Sequence, residues 1–162
     1  MQNEIIEQVR EIVRNQPKGI PEFRPESWEC SLDAGCYSYA LDIHINKYFF
    51  LGDFIGKSCN ENISNEKLLE VFEEEMNFFN YKVKEVDVEY LCQNSQKKIY
   101  LQRLELTGYY HFLRQDKDGL WSHKFPWLYP SRKDTDGNMI YDPECMVEVP
   151  FSGWCFAIEK TN

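Results

Sequence analysis

The feature that most constrains the fold of this chain is a change in hydrophobic period near residue 80. Up to Phe79 the apolar residues recur at helical spacing, and from Tyr81 onward they alternate. A stripe at 3.6 residues per turn is buried by a helix, whereas alternation is buried by a sheet with one face inward. Helices followed by antiparallel strands form an α+β order. The 162 residues fit one domain, and 43% hydrophobic content supplies enough apolar volume for a core.

Within the helical part, Ile5, Ile6, Val9, Ile12 and Val13 share one face, so a helix is expected over 3–14. Pro17, Gly19, Pro21 and Pro25 end it and begin an irregular arm. The expected organisation is a helix and arm over 1–26, then the main domain over 27–162. A second helix is expected from an Asp33 N-cap through Cys36, Tyr37, Tyr39, Ala40, Leu41 and Ile43, stopping near Asn46. A third opens at Ser64 and carries Leu68, Leu69, Phe72, Met76 and Phe79 at helical spacing. Its acidic run, Glu70, Glu73, Glu74 and Glu75, reads as a solvated face.

In the alternating part, strands are expected over Tyr81–Cys92, Lys98–Leu106, Tyr109–Gln115 and Leu120–Lys124, with closing strands at Met139–Tyr141 and Trp154–Ile158. The phase slips at Gln102-Arg103, where a bulge would fit. Asp116-Lys117-Asp118-Gly119 is a tight-turn signal. If Gly119 is the bulge residue after a type I turn, Asp116 faces Leu120 and His123 opposes Leu113. His111 and His123 then project from one sheet face as diagonal neighbours.

The chemistry-bearing residues are few. A net charge of −9 disfavours nucleic acid and anionic surfaces as partners. No segment has the length of a membrane span, and the first 14 residues lack a basic n-region and apolar h-region, so a cytoplasmic protein is expected. Specialised export or injection would leave no mark in the sequence. The six cysteines contain no CxxC pair, and free thiols are expected without a metal or other cofactor. A nucleophilic thiol needs a lowered pKa, supplied by a helix start and a neighbouring imidazole. Cys36 meets the first condition three residues after Asp33. Backbone N–H groups at Gly35 and Cys36 would hold an oxyanion, and Gly35 would admit a substrate closely. His111 is the candidate base and His123 the residue that orients it; Ser122, Asp116 and Asp142 are rivals for that third place, and Cys30 is an alternative nucleophile. His44, eight residues past Cys36, would lie about 12 Å along the helix, too far to take part.

Gly35-Cys36-Tyr37-Ser38-Tyr39-Ala40, then His111-Phe112-Leu113-Arg114, then Trp121-Ser122-His123-Lys124 resemble, in order, the nucleophile, base and third-position segments of the papain-like hydrolases of the NlpC type. Leu51-Gly52-Asp53 resembles a turn of that family. Gly35 stands where the family has Asp, and Phe112-Leu113 follow the His where it has Val and Gly. The resemblance implies N-terminal helices packed on an antiparallel sheet, with a nucleophilic Cys at a helix N-terminus. It also implies cleavage of an amide or peptide bond through a thioester, on a peptide or protein substrate. Acyl transfer or glutamine deamidation, as in a toxin or effector, uses the same intermediate. An acidic binding or inhibitor protein without turnover is the third reading.

Overall fold

A computed structural model describes residues 2–146 and 150–161. Helix α1 spans Asn3–Asn15 and buries Val9 and Val13. The arm then runs through a 3-10 turn, Pro25–Ser31, to a single-turn helix α2, Cys36–Ala40. A second 3-10 turn, Asp53–Ile55, precedes α3, Asn65–Phe78. The Ser64 hydroxyl accepts the Lys67 N–H at the start of α3, as an N-cap should.

Five strands follow: β1 Tyr81–Val86, β2 Gln96–Leu104, β3 Tyr110–Gln115, β4 Trp121–Ser122 and β5 Phe151–Lys160. They form one antiparallel sheet in the order β1-β5-β2-β3-β4. Ile99, Leu101, Phe112, Phe156 and Ile158 share a core with Val9, Tyr37, Leu68, Phe72 and Met76 from the three helices. The residues in the opposite phase, Tyr100, Leu113, Trp121 and Cys155, join Ile140 and Met146 in a smaller core on the other side of the sheet. The expected helix-on-sheet α+β arrangement is therefore present.

Several local expectations are corrected. Asp33 does not cap α2: Gly35 holds the N-cap position, and the Asp33 N–H donates to Asn46 Oδ1 instead. The helix ends at Ala40 because the chain turns there, the Asp42 and Ile43 amides bonding back to Tyr39 and Ser38. No bulge interrupts β2, whose pairing with both β3 and β5 is continuous across Gln102 and Arg103. The apparent phase slip arises because β2 is the central strand and is buried on both faces, so alternation carries no signal there. β1 stops at Val86 rather than Cys92, and Met139–Tyr141 forms only an isolated bridge through Met139 to Lys133. β4 is two residues long, because beyond Ser122 the chain leaves β3 and His123 pairs with Ser131.

Glu75 is the largest correction. It is fully buried, not solvated, and its carboxylate accepts from the Tyr37 hydroxyl and from the Gly52 and Phe54 amides. Glu70, Glu73 and Glu74 do face solvent.

The Asp116–Gly119 turn holds as expected. The Gly119 amide bonds to the Asp116 carbonyl, Gly119 takes φ +92°, and the Asp116 amide bonds to the Leu120 carbonyl. Arg114 accordingly pairs with Ser122 and Gln115 with Trp121.

Candidate active site

The site forms where β4 ends and leaves one edge of β3 uncovered. The bond from the Leu104 amide to the Tyr109 carbonyl sets the hydrogen-bonding phase between β2 and β3. In an antiparallel ladder this phase turns the Phe112 N–H away from β2 and toward the outer edge. Continued β4 pairing would have met that amide with Lys124. Instead the Cys36 thiol occupies this edge, facing the amides of Phe112, Tyr37 and Cys36 itself. His111 directly precedes Phe112. Cys36 and His111 line one cavity of about 310 Å³. No hydrogen bond joins them among the described residues.

The two imidazoles do meet. His111 Nε2 lies 2.8 Å from His123 Nδ1, and His123 Nε2 lies 2.8 Å from the Lys133 carbonyl oxygen. That carbonyl can only accept, so His123 carries its proton on Nε2. Burial lowers the pKa of His123 and holds that of His111 down to about 3, so both rings are neutral. The neutral His123 then accepts at Nδ1, and His111 must donate from Nε2. This leaves Nδ1 of His111 with its lone pair and, among the described residues, no hydrogen-bond partner. The His111 ring is held by stacking on Phe125 at 4.8 Å between centroids and 10° between planes.

By strand alternation the two rings lie in phase with Leu113 and Trp121, on the sheet face away from α2. The expected layout, a helix opposing the histidines across one face, is therefore not what the chain forms.

The thiol departs from expectation as well. Cys36 is 8% exposed, and burial pushes its pKa up to about 11 despite the three amides that favour the thiolate. A one-turn helix has few aligned peptide dipoles to oppose this. The Cys36 thiol and the His111 imidazole are thus each held neutral.

Gly35 gives its space to Tyr48: a Cβ at Gly35 would lie 2.6 Å from the Tyr48 ring. Tyr48 packs edge-on against Phe50, and these two form one wall of the cavity. Opposite, Lys124 is fully buried, and its ammonium donates to the carbonyls of Leu32, Ala34 and Phe125. Those bonds fix the loop that delivers Cys36, and burial lowers the Lys124 pKa to about 8. Lys124 and Tyr48 were not singled out from the sequence. Lys124 shares a phase with Ser122, whose hydroxyl bonds to the Tyr39 hydroxyl of α2, and that alternation was the available signal.

The other candidates fall away from the cavity. Ser122 and Asp116 belong to a buried network with Tyr39, Arg114 and Arg132. Asp142 caps the 3-10 turn Pro143–Cys145. His44 stacks on Trp28 and bonds to Asp42, and Cys30 is exposed on the arm. All six cysteines are free. Among the described residues no group of three His, Cys, Asp or Glu side chains is placed to hold a metal ion, and no helix is long and apolar enough to cross a membrane.

No family model and no solved structure matches the chain. The chain is similar to insoluble matrix shell protein 1 of Ruditapes philippinarum, with 27% identity over 141 residues that cover 82% of this chain and 86% of that protein.

Proposed function

We propose that the chain is a cysteine hydrolase of papain-like type, acting on an amide or peptide bond through a thioester. The supporting observation is the ordered relay from the Lys133 carbonyl through His123 to His111, which leaves Nδ1 of His111 unprotonated on a residue that lines one cavity with Cys36. Because thiol and imidazole both start neutral, the thiolate is generated during attack rather than stored. His111 Nδ1 takes the Sγ proton as sulfur bonds to the carbonyl carbon. Backbone amides at the start of α2 hold the oxyanion. The C–N bond breaks, His111 returns the proton to the leaving amine, and a thioester remains. His111 then deprotonates a water that releases the acid and restores the thiol. An amine in place of water would give acyl transfer, and a glutamine side chain as acyl donor would give deamidation.

An activated ester tests this without knowledge of the natural substrate. p-Nitrophenyl acetate should release a burst of nitrophenolate and leave an acetyl group on Cys36, mapped by mass spectrometry. Cys36→Ala should abolish the burst, and His111→Ala should slow it by about 10² or more. Acetylation spread over the exposed Cys30 and Cys145, with no burst, would overturn the proposal.

One observation favours a second reading, a binding protein without turnover. The high pKa and near-complete burial of Cys36 also suit an inert core thiol. The similarity to a shell matrix protein fits either reading, because its name states no activity. The ester burst separates them.

A further inference from the structure

The cavity at Cys36 also carries information about what it accepts. Its walls are aromatic: Tyr48, Phe50, Tyr109 and Phe125 line it, and all four stay between 45% and 60% exposed. Large half-exposed rings around a cavity suit an apolar side chain that completes their burial.

Its charges are unequal. Lys124 and Glu61 are the lysine and the carboxylate in its lining. The Lys124 ammonium is spent on the three loop carbonyls and has no access to solvent. Glu61 is exposed, and among the described residues its side chain is held by no hydrogen bond or ion pair, while its backbone carbonyl accepts from Arg103. Glu61 also borders a second open cavity, beside the turn between β2 and β3, where Glu105 is exposed and Arg103 is committed to the carbonyls of Glu61, Ile63 and Gly108. Glu61 thus borders both the aromatic cavity at Cys36 and a neighbouring cavity that holds a second carboxylate, on a chain of net charge −9.

We propose that the substrate is a peptide segment that places a large apolar or aromatic residue among Tyr48, Phe50, Tyr109 and Phe125, and a cationic group against Glu61. This rests on the hydrolase reading and adds a substrate class to it. Acidic segments are disfavoured by the same carboxylates.

Thiol-directed peptidyl acyloxymethyl ketones test the class directly, because the thioether formed at Cys36 displaces the carboxylate leaving group and needs no further reactant. Lys-Phe, Glu-Phe and Lys-Gly probes are compared on native protein and on Glu61→Gln and Glu61→Lys, with p-nitrophenyl acetate as the control that ignores recognition. Lys-Phe should label Cys36 about three- to fivefold faster than Glu-Phe at low salt, as expected for one exposed ion pair. That preference should shrink at high salt and in Glu61→Gln, and should reverse in Glu61→Lys. Lys-Gly should be the slower of the two lysine probes. The ester burst on native protein, and its loss in His111→Ala, report the hydrolase chemistry separately from recognition. Equal labelling by all three probes, or a preference that Glu61→Lys leaves in place while the ester burst persists, overturns the substrate class alone. Loss of the His111-dependent burst in native protein overturns the hydrolase reading and the substrate class with it.

Discussion

At the scale of single residues, the site is governed by where protons sit. His111 is held well below its usual value of 6.5, by burial first and by the neighbouring His123 second. It therefore stays a free base through the mildly acidic range. Cys36 is held above its usual value of 9.0, so it stays a thiol well into the alkaline range. In the proposed mechanism the thiol plus neutral imidazole is lost as pH falls through the His111 pKa, whereas a rise through the Cys36 pKa gives a thiolate that attacks without a base. The acylation rate with p-nitrophenyl acetate should thus hold level through the ordinary imidazole range and rise only above the ordinary thiol range, as the Cys36 thiolate forms. A stopped-flow pH profile with an acid limb near 6.5 would show that His111 is not so buried. The meeting of His111 and His123 was legible in the sequence, because the Asp116–Gly119 turn fixes the register that puts both rings on one face. The protonation states were not. They follow from burial at the edge of β3, and nothing local to Cys36 or His111 encodes that.

At the scale of elements, α3 is tied to the site by one carboxylate. Glu75 accepts from the Tyr37 hydroxyl at 2.5 Å and from the Gly52 and Phe54 amides, each at 2.9 Å. It thereby joins α3 to α2 and to the turn after Phe50. Burial raises its pKa in the fold, despite those donors. A raised carboxyl pKa contributes stability that is full below the unfolded value of 4.5 and is lost as pH rises through the folded pKa. Glu75→Ala removes all three acceptors at once and should cost about 3–5 kcal/mol in urea unfolding. Glu74→Ala, which breaks an exposed pair with Lys57, should cost under about 1 kcal/mol. Equal losses would contradict the assigned role of Glu75. The helix boundaries of α1 and α3 were readable from periodicity and from the Ser64 cap. Glu75 was misread because it stands in an acidic run, and composition alone does not show that one of four glutamates points inward. The length of α2 was misread for a related reason: Tyr39, Leu41 and Ile43 are all buried, so apolar spacing continues past the point where the backbone turns.

At the scale of the whole molecule, the site is an assembly of separate segments. The loop before Cys36 is pinned by Lys124 from beyond β4, His111 comes from β3, and the His123 ring is fixed by the Lys133 carbonyl. The α+β class and most of the strand order in sequence were legible from the change of period near residue 80. The central place of β5 between β1 and β2, and the early end of β4, depend on long-range pairing that alternation does not report. That early end leaves open the β3 edge where the Cys36 thiol faces the Phe112 amide. The relay itself is observable in solution through the ring nitrogens, by long-range 1H–15N correlation on histidine-labelled protein at neutral pH. Both His111 and His123 should be neutral and protonated at Nε2, with the His111 Nδ1 resonance shifting in Cys36→Ala. A His111 ring that is charged, or protonated at Nδ1, would contradict the assignment of His111 as the base.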